Sequence, residues 1–137
     1  MRDRETSIHV CVTCREAGAD PGDAHERPGM RLYRILCEVA QRRAEAVAIR
    51  PVECLSVCKR PCTIGFSAPG KWTYVYGDFA PDERAAEGIL DAAALYAATP
   101  DGLISWRLRP DALKKGVVAR IPPLVDPSNT TLPEAAE

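Results

Sequence analysis

Long apolar runs are missing from this sequence, and no window could span a bilayer. The first ten residues, MRDRETSIHV, hold two arginines and two acids in place of the apolar stretch of a secretory signal. The expectation is a cytoplasmic protein in a reducing compartment, without membrane contact. Charge of one sign is not in excess either: 18 basic residues face 19 acidic ones, for a net charge of −1. That leaves no case for sequence-independent binding of nucleic acid, which needs many phosphate-neutralising cations. Aromatic residues make up only 6% of the chain, too few for single-strand stacking platforms. Paired carboxylates, a Ser-His-Asp set, a phosphate-binding loop and a dinucleotide fingerprint are absent, as are repeats and heptads, so nothing supplies a substrate chemistry.

What the sequence does have is cysteine. ECLSVCKRPC, residues 53–62, places Cys54, Cys58 and Cys62 at strict four-residue spacing, and CVTC places Cys11 and Cys14 about forty residues upstream. A disulfide framework, a redox dithiol, a zinc site and an iron–sulfur site all use such clusters. The reducing compartment argues against the first and favours metal-binding or catalytic thiols.

The pattern along the chain predicts one domain with a single core, 46% of residues being apolar and 27% charged. SIHVCV alternates as a strand ending near Cys11 to Thr13. A loop rich in glycine and proline follows. From about Pro28, Leu32, Ile35, Leu36 and Val39 recur at helical spacing, with Arg31, Arg34, Arg42 and Arg43 mostly opposite. VAIRPVE reads as a strand whose internal proline argues for an edge or a strand end. TIGFSA and KWTYVYGDF read as a hairpin joined at PG. APDERAAEGILDAAALYAA starts as helices prefer, with a proline and acids in the first turn, and Ala86, Ile89, Leu90, Ala93 and Ala97 form its apolar stripe.

The expected order is thus β-α-β, cysteine loop, β-β-α, the element order of a thioredoxin-like α/β domain around one four-stranded mixed sheet. Residues 1–98 would form the domain, and 99–124 an extension packed on it with a short helix at Pro110 to Lys115. Residues 125–137, with several prolines and no basic group, would be a disordered tail. In this arrangement Cys11 and Cys14 end the first strand, while Cys54 and Cys58 follow a parallel second strand. The carboxyl ends of neighbouring parallel strands share one side of the sheet, so four thiolates can converge there. Thiolates select soft or borderline metals, without choosing among them.

IHVC, ECLSVC, PGKW and TYVYGDF, followed by a final helix, resemble the thioredoxin-like 2Fe-2S ferredoxins. CVTCR, RPVECLSVCKRPC, GKWTYVYGD and ARIPPL resemble, from about Ile8 to Leu124, a group of bacterial predicted metal-binding proteins with this fold that is often associated with cobalamin synthesis. The resemblance implies a small electron-transfer protein carrying a 2Fe-2S cluster on Cys11, Cys14, Cys54 and Cys58, linked to cobalamin or cobalt metabolism. It also implies a redox partner protein and admits a homodimer, since related ferredoxins pair. Two departures stand out. The ferredoxins carry their second cysteine deeper in the loop than Cys14, and Cys62 has no equivalent, so Cys62 is an alternative ligand.

A zinc or cobalt module without redox activity would use the same sulfurs. A thiol-disulfide oxidoreductase would use Cys11 and Cys14, but a loop of more than a dozen residues separates them from the helix whose dipole would lower a thiol pKa. It would also leave Cys54, Cys58 and Cys62 unused. Arg15, Lys59 and Arg60 flank the cysteines, either as a solvated face or as cations that stabilise thiolates and an acidic partner. Cys37, in the first helix, reads as a small buried hydrophobe. His9 and His25 lack a spaced second histidine and read as core or solvated side chains. Trp72, Tyr74 and Tyr76 read as hairpin packing, and Gly65 as a bulge or a close approach of backbone.

Overall fold

A computed structural model of the chain describes residues 6–13, 27–56, 62–110, 113–114 and 116–124. Five strands alternate with two helices: β1 (Ser7–Cys11), α1 (Pro28–Arg42), β2 (Ala48–Val52), β3 (Ile64–Ser67), β4 (Thr73–Tyr76), α2 (Glu83–Ala98) and β5 (Val117–Ile121). The strands lie in the order β2-β1-β3-β4-β5. β1 and β2 run parallel, with Cys11 beside Val52, and the other pairings are antiparallel.

The expected sheet of four strands is corrected to five. VVARI, in the C-terminal segment, pairs along β4 with a bulge between Val75 and Tyr76. Its β-branched residues between a glycine and two prolines carry the strand signal, which the neighbouring Trp and basic residues obscured. A 3-10 turn forms at Trp106–Leu108. The helix expected at Pro110 to Lys115 lies partly outside the described residues; within it, the amide of Leu113 bonds the Pro110 carbonyl in a single turn. The tail, 125–137, lies outside them altogether. β2 takes the sheet edge, as Pro51 requires: proline cannot donate to a second neighbour.

The register builds one core face. Ile8 lies opposite Phe66 and Phe66 opposite Tyr74; Val10 lies opposite Ile64 and Ile64 opposite Tyr76. Leu32, Leu36 and Val39 of α1 and Ala86, Ile89, Leu90 and Ala93 of α2 join the same buried cluster. Each large side chain so buried contributes about 1.5–3 kcal/mol. Ala97, expected in the stripe of α2, is exposed, and Tyr96 takes the place, its hydroxyl donating to the Trp72 carbonyl. Asp82 caps α2 by accepting from the Ala85 amide at 2.8 Å. Arg43 joins the helices through Asp91, 2.7 Å away, and Arg42 through Glu83. The opposite face of the sheet carries Ser7, His9, Ser67, Thr73 and Val75, all half-buried. No helix among the described residues is long and apolar enough to cross a membrane.

Candidate metal centre

β1 and β2 are parallel neighbours in register, so the residues after Cys11 and after Val52 leave the sheet at the same end. Cys11 is buried, and its Sγ lies 3.9 Å from the carbonyl oxygen of Glu53, the residue before Cys54. Thr13 stands at the same place: its hydroxyl donates to that carbonyl, with Oγ1 3.8 Å from the Cys11 sulfur. Cys54 is exposed, and the Ser56 amide donates to its Sγ at 3.2 Å. In sulfur-ligated clusters such N–H···S bonds tune the potential.

Cys62 enters from the other side. β3 runs antiparallel to β1, the Cys11 amide bonds the Thr63 carbonyl at 3.0 Å, and Cys62 is therefore adjacent to Cys11 in the backbone. Its side chain is 1% exposed and belongs to the apolar core. Of the sequence-predicted residues, Cys11, Cys54 and Cys62 are thus brought to one end of the sheet. Cys14 and Cys58, with Arg15, His25, Lys59 and Arg60, lie outside the described residues. Among the described residues no three His, Cys, Asp or Glu side chains group as metal ligands.

Two features of this end were not legible in the sequence. The first turn of α1 lies against Cys11: a Cβ added at Gly29 would run into the Cys11 carbonyl oxygen. The long loop before α1 therefore separates helix and cysteines in the chain, not in space. Among the described residues no side chain caps this helix; Arg27 occupies the capping position without a capping bond, and Pro28 follows. The positive end of the helix dipole thus lies beside Cys11, where it favours negative charge. Arg27 also reaches the Thr13 carbonyl at 3.5 Å.

The second feature is backbone strain. Four described non-glycine residues have positive φ: Ala44, which ends α1, and Ser56 (62°), Cys62 (60°) and Asp78 (66°). The last three follow β2, precede β3 and follow β4, all at the cysteine end. Left-handed non-glycine residues cost on the order of 1 kcal/mol each and collect where geometry serves a site.

The remaining candidates are structural. His9 shares a hydrogen bond with Ser67, Nε2 to Oγ 2.8 Å, and burial, with Arg50 nearby, pushes its pKa down from the usual value. Cys37 is half-buried rather than buried, and a hydrogen bond with it, then burial, raises the Tyr33 pKa. Tyr74 and Tyr76 stack in the core with centroids 5.6 Å apart, and Trp72 lies under Arg120. Gly65 is a close approach, since an added Cβ would meet the Tyr74 carbonyl at 3.2 Å; the register shift lies between β4 and β5 instead, with Val118 the extra residue. A shallow groove of about 350 Å³, lined by Ser67 to Lys71 and Ile121 to Leu124, sits at the end of the sheet away from the cysteines.

The fold and site define an α/β domain of thioredoxin-like architecture with cysteines gathered at one end of the sheet. Two solved structures share it. One, a thioredoxin-like [2Fe-2S] ferredoxin from Aquifex aeolicus, is 17% identical with a TM-score of 0.55, over 85% of this chain and 93% of that one. The other, the wild-type thioredoxin-like [2Fe-2S] ferredoxin from Aquifex aeolicus at 1.5 Å resolution, is 16% identical with a TM-score of 0.51, over 85% and 98%. No curated protein matches the sequence. The chain belongs to the family described as "Protein of unknown function (DUF1636)", matched over residues 8–123.

Proposed function

We propose that the protein is a one-electron carrier whose Cys11, Cys14, Cys54 and Cys58 hold a 2Fe-2S cluster. The observation that carries this reading is the placement of the Cys11 sulfur 3.9 Å from the carbonyl preceding Cys54, at the shared end of two parallel strands. The described donors fit such a group. They are sulfur, the ligand that iron–sulfur clusters take, and the end of the sheet they occupy favours negative charge through the α1 N-terminus. The fold shared with the Aquifex aeolicus ferredoxins supports the same reading.

Bound there, the cluster would supply reversible single-electron chemistry, and the chain's own residues would set its position and surroundings. Cys11 is held by the register of β1, and its amide by Thr63. Cys54, on an exposed turn, would keep the site close to solvent and to a partner. Cys62 belongs to the apolar core in this reading and is not a ligand. The resemblance to proteins associated with cobalamin synthesis is the reason to include cobalt in the metal analysis.

The test is an absorption spectrum of anaerobically purified protein, with iron, sulfide, zinc and cobalt measured on the same sample. Visible bands that bleach on reduction, with about two irons and two sulfides per chain, support the reading. Colourless protein with about one zinc would replace it by the metal-module reading. Metal-free protein with a reversible Cys11–Cys14 disulfide would replace it by the thiol-exchange reading, to which the proximity of Gly29 and Cys11 lends support. Cys54→Ser should abolish or strongly deplete the cluster, whereas Cys62→Ala should retain it while lowering stability by about 1–2 kcal/mol for the core volume lost. Equal cluster loss in both variants would make Cys62 a ligand.

A further inference from the structure

The C-terminal segment contrasts with the rest of the chain in charge. Residues 103–124 contain Arg107, Arg109, Lys114, Lys115 and Arg120 against the single acid Asp111, in a protein whose net charge is −1. Its described cations fall into two groups. Arg109 lies over Tyr74, Lys114 over Trp106 and Arg120 over Trp72, at 5.5, 4.7 and 4.9 Å from the ring centroids. With Ile104 and Leu113 buried in the core, Arg109 on Tyr74 and Arg120 on Trp72 brace the segment to the domain, while Lys114 on Trp106 stays within the segment.

Arg107 is different. It is exposed, on a turn whose other two residues, Trp106 and Leu108, are 59% and 63% exposed. No described contact of the fold uses Arg107 or Leu108 as a side chain. Large apolar residues exposed together around a cation are the composition of a docking centre, where Trp and Arg dominate the energetics.

The turn is also tied to the cysteine end. Lys114, stacked on Trp106, lies two residues before Gly116, whose carbonyl accepts from the Gly77 amide at 2.9 Å. Val117 pairs with Tyr76, and Tyr76 with Ile64, two residues after Cys62. The start of β5 is thus two strand spacings, roughly 10 Å, from the start of β3.

We propose that the Trp106–Leu108 turn, with Arg107 at its centre and Lys114 beside it, is the docking surface for an acidic redox protein. The proposal rests on the electron-carrier reading and names its partner class. Charge complementarity decides that class: a cationic patch on a chain of balanced charge attracts carboxylates around an apolar contact, and the low overall charge disfavours a polyanion such as nucleic acid.

The probe is flavodoxin, an acidic one-electron flavoprotein, immobilised for surface plasmon resonance against the full-length protein as purified, with its metal content measured. Arg107→Glu should weaken binding about tenfold and Leu108→Ser severalfold. Arg50→Glu, the same charge change on the opposite edge strand, should stay within about twofold, and rising salt should weaken the wild type. Both patch positions are exposed, so melting temperatures should be unchanged, which separates docking from bracing. The proposal is overturned if flavodoxin does not bind, if Arg107→Glu and Arg50→Glu lose affinity equally, or if a single-stranded oligonucleotide binds the patch more tightly than flavodoxin. Because binding is read without electron transfer, a protein that holds no cluster yet binds flavodoxin through Arg107 would sink the carrier reading and leave the docking surface standing.

Discussion

Among individual residues, the core tyrosines separate by what their hydroxyls do. Tyr96 donates to the Trp72 carbonyl, whereas the hydroxyls of Tyr74 and Tyr76 are buried without a partner among the described residues. A buried hydroxyl without a bond is a cost, and one with a bond is a modest gain. Tyr76→Phe should therefore leave stability unchanged or raise it, and Tyr96→Phe should lower it by about 1 kcal/mol, measured by urea denaturation. Burial pushes the pKa of both Tyr76 and Tyr96 up to about 12. The folded chain thus keeps phenol protons that the unfolded chain loses near pH 10. Their stabilising contribution is complete below about pH 10 and is lost as pH rises through about 12, so the melting temperature should fall across that window. The fall should be shallower in Tyr76→Phe; an equal fall would assign it to other groups.

At the scale of elements, two helical glycines should respond in opposite directions. Gly29→Ala drives a Cβ into the Cys11 carbonyl, a backbone atom that cannot swing away, while at Gly88 in α2 nothing lies within 4 Å. Gly88→Ala should stabilise by up to about 1 kcal/mol, as helix propensity alone predicts. Gly29→Ala should destabilise by several kcal/mol and, on the proposed function, deplete the cluster. Lys71 belongs to the same scale. Only 4% exposed, its ammonium donates to the carbonyls of Tyr96 and Ala97 at 3.1 and 2.9 Å and so caps α2. Lys71→Met, which keeps the stem and removes the donors, should cost about 1–3 kcal/mol by calorimetry. The elements themselves were largely legible, because Leu32, Leu36 and Val39 keep helical spacing and Pro51 marks an edge. Lys71 was not, since a lysine beside PG in a turn carries no sign that a helix end will close over it.

For the whole molecule, the sheet has two unlike ends. One is closed by side chains: Lys71, Tyr96 and Thr99 bond to backbone, and Gly102, at φ +86°, fits where a Cβ would meet Tyr96 and Lys71. The other carries the cysteines and the left-handed Ser56, Cys62 and Asp78. That Cys11 and the residues after Val52 leave the sheet at the same end was legible, because a β-α-β unit with parallel strands puts both strand ends on one side. The contact of α1 with Cys11 was not, because chain separation is a poor guide to distance once a loop folds back. Nor was the fifth strand, whose segment also sends Ile104 and Leu113 into the core. Removing residues 103–137 should therefore abolish the cooperative melting transition, as two core side chains and an edge strand go together. Retention of a sharp transition would show that the first hundred residues fold alone.

The strand order also bears on synthesis at the ribosome. β2, β1 and β3 are neighbours in the sheet and complete by Ser67, so the three strands that flank Cys11, Cys54 and Cys62 are translated in the first half of the chain. β5, the last of the described strands to be made, adds at an outer edge. Because folding of a nascent chain proceeds from its N-terminal side, the sulfurs can gather while half of the protein is still untranslated, and Ile104 and Leu113 complete the core only later.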